Sequence, residues 1–150
     1  MRLSLLYCGF FHKEMRVTRY RFIGVRRDDT SAFGRIRIAE VSVVVELGAC
    51  AADVEYDVSG VPWWKEAATL GARRAIAAGG ARALHGSCRV VINDVVDFPA
   101  DSTPDSVESA AFVATWLAVG GNELDLTRSY ADGVWRVDVA GGRGRVGSGP

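Results

Sequence analysis

The sequence predicts an α+β domain, a two-layer sandwich in which two helices cover one face of a mostly antiparallel sheet. Three observations lead there. Several short segments alternate apolar and polar residues at the period of a strand. Two longer alanine-rich segments each open on a proline and close on a glycine pair. The order along the chain is β, β, β, α, β, α, β, β, with no repeat or low-complexity block to divide it.

Residues 16–25, RVTRYRFIGV, form the first predicted strand, with Tyr20 and Phe22 on one face and Arg19 and Arg21 on the other. A polar connection, 26–34, follows. Residues 36–47, IRIAEVSVVVEL, are rich in β-branched side chains and long enough for one bent strand or two short ones. In 52–59, Val54, Tyr56 and Val58 face one way, and Asp53, Glu55, Asp57 and Ser59 face the other. That is a strand with one wet face.

The first helix is VPWWKEAATLGARRAIAAGG, 61–80. Pro62 suits the first helical position, where its missing N–H is not needed. Trp64, Ala68, Gly71 and Ala75 make an apolar stripe with Ala67, Leu70 and Ile76 beside it; Lys65, Arg73 and Arg74 make the polar side. Trp63 sits about 100° round from Trp64, which predicts Trp64 in the core and Trp63 at its rim. Gly79 or Gly80 supplies the left-handed residue that ends the helix.

Residues 89–98 are the next strand, and Asn93-Asp94 predicts a bulge or an early end. The second helix, within 101–121, is capped by Ser102 or Thr103 and started by Pro104. Val107, Ala110, Ala111, Ala114, Leu117 and Ala118 are its stripe. Residues 123–130 and 134–140 flank Ala131-Asp132-Gly133, and Asp-Gly is a tight hairpin signal. One domain over 15–140 is the expected organisation. Met15 directly precedes a good strand, so 1–14 read as an N-terminal extension, and the Gly-rich 141–150 read as a disordered tail.

Lys plus Arg and Asp plus Glu each number 18, so the chain has no net charge. A nucleic-acid partner would need a local basic patch. Arg16, Arg19, Arg21, Arg26 and Arg27 form that concentration, with Tyr20 and Phe22 between them. Arginine interleaved with aromatics is how some sheets hold single-stranded RNA. The competing account is a polar strand face with the aromatics inside. Trp63 is the second candidate binding residue.

Three scattered cysteines, Cys8, Cys50 and Cys88, point to a reducing cytoplasm rather than a disulfide framework. No run of ~20 apolar residues predicts a membrane span. The chain has neither the phosphate-cradling Gly-x-x-x-x-Gly-Lys-Ser/Thr nor a Gly-x-Gly-x-x-Gly between strand and helix, so no nucleotide cofactor is expected. With two histidines and no nucleophile elbow, no catalytic set stands out. The acidic run Asp94, Asp97, Asp101 and Asp105 departs from the calcium-loop spacing and reads as strand end, turn and helix first turn. A pocket around Asp94, Asp97 and His85 is the alternative that an enzyme would use.

Residues 40–119 carry a further pattern: EVSVVVEL, then VEYDVSG, the Val-Pro helix with Gly71-Ala72-Arg73-Arg74-Ala75, HGSCRVVINDVVDFPADS, and TPDSVESAAFVATWLA. In order and motif this resembles domain IV of the elongation factor G family of ribosomal translocases. The resemblance implies that family's left-handed β-α-β two-layer fold. The chain departs from the family in having no GTPase domain and in replacing its Tyr-Asp-Gly-Ser-Tyr-His loop with Val-Asp-Phe-Pro-Ala, 96–100. The expected function is a non-catalytic cytoplasmic binding or accessory module of bacterial type. Its partner would be a protein, an RNA or the ribosome, met through Arg19, Arg21, Arg26, Arg27 and Trp63. A small enzyme at the acidic pocket and an immunity-type protein that neutralises a toxin are the alternatives.

Overall fold

A computed structural model describes residues 14–26, 35–47, 53–80 and 88–140. The expected extension before Met15 and the expected tail after Ala140 lie outside them, apart from Glu14.

Strands β1 (Glu14–Arg26) and β2 (Arg35–Leu47) pair antiparallel along their whole length. β2 is thus one long strand rather than two short ones. β4 (Cys88–Val96) pairs antiparallel with the other edge of β2, and β3 (Asp53–Tyr56) lies parallel to β4. The order across the sheet is β1-β2-β4-β3. Parallel neighbours need a crossover, and helix α1 (Lys65–Ala75) provides it between β3 and β4. Helix α2 (Pro104–Ala118) packs over β1 and β2, beside α1 on the same face. The result is the two-layer α+β sandwich that the element order predicts.

The layers meet along Phe22, Val41, Val43, Val45, Val90 and Ile92 of the sheet, all fully buried. The register between β2 and β4 shifts: Val43 faces Ile92, but Ser42 faces Asp94. Asn93 is therefore the extra residue of a β-bulge, as its sequence signal predicts. Before it, Val90 and Ile92 point inward; after it, Val95 does. Without the bulge the period-2 alternation would aim Asp94 into the core.

A single turn of 3-10 helix, Pro62–Trp64, leads into α1, and Gly79 takes a φ of 122° at its far end. Tyr56 donates its hydroxyl to Val61 O at 2.6 Å and so pins the chain ahead of the tryptophans. Trp64 packs against the core, as its position in the stripe predicts. Two predicted placements on α1 are corrected. Leu70 belongs to the outer surface, 49% exposed, while Ala72 takes the buried position. Arg74 is not on the polar side. It reaches between the helices to Glu108 (3.2 Å), Val137 O (2.7 Å) and Asp138 (3.1 Å), with its guanidinium over the Phe112 ring.

The helices approach closely because Gly71 has no side chain. A Cβ there would lie 2.2 Å from Glu108 O on α2. α2 is apolar nearly all round, not along one stripe: Val107, Ala110, Phe112, Val113, Ala114 and Trp116 are all buried. The sheet, α1 and the C-terminal hairpin each cover a side of it, which is the usual setting of such a helix. Thr103 is its cap, with Ser106 Oγ accepting from Thr103 N–H at 2.9 Å. Ser102 does other work. It accepts from Phe98 N–H and donates to Ile38 O, tying the turn before α2 to β2.

Strands β5 (Leu126–Ala131) and β6 (Val134–Val139) form the predicted hairpin. Asp132 and Gly133 have φ of 55° and 79°, the pair of positive values that a two-residue primed turn requires. The hairpin stands apart from the four-stranded sheet. It packs beside α2 through Trp135, whose indole sits over Gly24 and meets Phe22 edge-on at 5.9 Å. Asp105 Oδ2 accepts the Trp135 N–H at 2.7 Å, and Arg128 donates to Ile23 O at 2.9 Å.

Candidate functional site

The sheet turns one broad face away from the helices, and there the predicted arginine strand is laid out. Arg19, Ser42 and Asp94 are cross-strand neighbours on β1, β2 and β4. Arg19 spans the middle strand and pairs with Asp94 at 2.8 Å, while its other nitrogen meets Glu40 at 2.7 Å. Ser42 is buried between them. Arg21 pairs with the second Glu40 oxygen at 3.1 Å and lies over the Phe98 ring. The two carboxylates raise the Arg19 pKa further above its ordinary value, Asp94 contributing most. Arg26, at an even position, turns to the opposite face and stacks on Tyr130, 4.2 Å from the ring centre. Arg27 lies outside the described residues. Tyr20 and Phe22 point to the helix side, so the arginines carry no aromatic ladder between them. The face is not bare of apolar groups, since Met15, Val17, Ile23, Val25 and Ile36 are exposed.

Of the predicted acidic pocket, Asp94 is already committed to an ion pair. The bulge turns that side chain to the outer face, where Arg19 takes it. Asp97 follows the end of β4, and His85 lies outside the described residues. Of the remaining run, Asp101 offers its carbonyl to Ile38 N–H, and Asp105 holds the hairpin. Among the described residues no three His, Cys, Asp or Glu side chains gather as metal ligands. Cys88 is a buried free thiol, and burial raises its pKa, the opposite of what a reactive cysteine needs. Burial, with the Asp94 charge behind it, likewise raises Tyr56.

Trp63 is placed far from the arginines, on the helix side. It is 61% exposed, beyond the rim position that its angle to Trp64 predicts. It opens a groove of about 350 Å³ between the N-terminal halves of α1 and α2 and the start of β6. Trp64, Leu70 and Val134 supply the groove's apolar surface, and Glu66, Asp105 and Glu108 its charges. Trp63, Glu66 and Leu70 share one face of the helix, spaced by three and four residues. Leu70 is legible in the sequence as an apolar residue, but its predicted face is the wrong one. Val134 and the carboxylates of α2 give no signal, because a groove between elements distant in sequence has none. The Trp64 indole N–H, at the floor, is buried with no acceptor among the described residues.

No helix among the described residues is long and apolar enough to cross a membrane. No family model matches the chain, and no curated protein matches it. A solved structure of a protein from Thermus thermophilus is similar at 19% identity and a TM-score of 0.47. The similarity covers 71% of this chain and 17% of the Thermus chain, so the matched part of this chain spans about a sixth of that protein's length.

Proposed function

We propose that this chain is a non-catalytic binding or accessory module, of the kind its resemblance to translocase domain IV implies, and that it engages a protein partner through the Trp63 groove. The observation that carries the reading is the contrast in partnering. Arg19 and Arg21 already spend their charge on Glu40 and Asp94, whereas Trp63, Leu70 and Val134 converge on an open groove with nothing described against them. An exposed tryptophan at the mouth of a concavity is the residue type that most often dominates a protein interface. Fold alone would not support a function.

Sedimentation of lysate from cells that make the chain tests this, at low and then high salt. The expected result is a complex that forms at low salt and is lost in Trp63→Ala, with high salt weakening it only in part because the groove is also apolar. Co-sedimentation with ribosomes that is lost at high salt and indifferent to Trp63→Ala would overturn it in favour of an electrostatic RNA contact.

A further inference from the structure

Resting on that reading, we propose that the groove takes a basic peptide segment of the partner: a Lys or Arg side chain laid on Trp63 and held by the surrounding carboxylates, with an apolar neighbour against Leu70 and Val134. The chemistry follows from what lines the groove. An indole face attracts a cation through its ring quadrupole, most strongly for tryptophan among the aromatics. Glu66 stands one helical turn from Trp63 on the same face, and among the described residues it has no ion-pair partner. Asp105 and Glu108 face it from α2, also one turn apart. Asp105 commits one oxygen to Trp135 N–H, which leaves the other. Glu108 shares Arg74 with Asp138.

No cationic residue lines the groove among the described residues; Arg74, the partner of Glu108, is turned inward to Val137 O. Lys65 and Arg73 line an adjoining hollow on α1, which shares Trp63, Glu66 and Leu70 with the groove but none of its α2 carboxylates. The groove is therefore acidic in a molecule whose overall charge is zero. That local imbalance selects a cation over an anion, and the exposed Leu70 and Val134 select a mixed basic and apolar segment over a free metal ion. The volume is at the small end of ligand clefts, roughly 300–1,000 Å³. It suits a few side chains, not a whole docked helix.

The probes are two fluorescein-labelled peptides of equal length, one alternating Leu and Arg, the other alternating Leu and Glu. Each is titrated with the full chain and followed by anisotropy. The Arg peptide is expected to bind at least about tenfold more tightly, with Glu66→Lys and Trp63→Ala each removing roughly that factor. Arg21→Ser, on the opposite side of the sheet, is expected to leave the affinity unchanged. Both groove positions are exposed, and unchanged circular dichroism confirms the fold of each variant. Equal binding of the two peptides, or an Arg-peptide affinity indifferent to Glu66→Lys and Trp63→Ala, overturns the inference. Peptide failure alongside a Trp63-dependent complex in lysate would sink the cation and spare the binding module. Selective peptide binding without any such complex would do the reverse.

Discussion

The outer face of the sheet and the groove beside α1 hold the same ingredients in different states. Both have charged groups and exposed apolar side chains. On the sheet each arginine of the central pair finds a carboxylate across the strands, and Glu40, only 14% exposed at its side chain, serves two of them. In the groove Glu66 has no such partner among the described residues, and the largest exposed ring in the region stands beside it. A cluster of like charges in sequence is thus a poor guide to a binding surface. What counts is whether the fold returns a counter-charge to each member, since an exposed satisfied pair offers a newcomer little and is itself worth little.

Four substitutions would break or sharpen this contrast. The largest effect belongs to the hairpin that walls the groove. Trp135→Ala removes the ring seated on Gly24 and Phe22 and should cost about 3 kcal/mol in denaturant unfolding, taking the groove with it. Gly71→Ala drives a methyl at the Glu108 carbonyl and should cost about 1–3 kcal/mol, with peptide affinity falling as the helices part. Glu40→Gln frees Arg19 and Arg21 from their shared carboxylate. Stability should drop by about 1 kcal/mol, and binding of a labelled single-stranded RNA should rise above the native chain's; no rise would show that pairing is not what silences that face. Trp63→Ala should move stability by less than about 0.5 kcal/mol while abolishing partner capture. A large stability loss there would make the tryptophan structural.

The pH response separates the two regions again. Tyr20, under the hairpin, has its pKa raised first by burial, with Arg128 opposing, and Cys88 in the core is raised by burial alone. A raised folded-state value means that the folded chain holds the proton more tightly than the unfolded chain does. The associated stability is fully present below the ordinary values, 10.0 and 9.0, and is lost as pH climbs past them. Urea midpoints should hold steady from neutral pH to about 8 and fall above about pH 9. Tyr20→Phe should remove part of that fall, and a fall unchanged in Tyr20→Phe would clear the hairpin joint of any role in it.

Much of the fold was legible because its signals are local. Pro62, Pro104, Asp132-Gly133 and Asn93-Asp94 each dictate backbone over a few residues, and each did what its chemistry requires. The parallel pairing of β3 with β4 and the hairpin's separation from the sheet depend on residues far apart, and no period in the sequence encodes them. The inward turn of Arg74 shows the same limit. A helical wheel places it with Arg73 on the wet side, but Glu108, Asp138 and Val137 O together make an interior that accepts a guanidinium. Of the candidate site, Trp63 was legible; the acidic wall opposite was not, since it arrives from α2.

The bulge at Asn93 also works as a frame setter. Everything before it in β4 is read in one parity and everything after it in the other, so the extra residue corrects a frame that strict alternation would misread. Were Asn93 drawn into regular pairing, Asp94 would be delivered to the hydrophobic interior and Val95 to water. The displacement would then propagate to the turn that Ser102 fastens to β2. Deleting Asn93 has no such effect, because Asp94 would follow Ile92 directly and still face Ser42 while Val95 still faced Val41. Deletion should therefore be milder than any change that keeps the residue and closes the bulge.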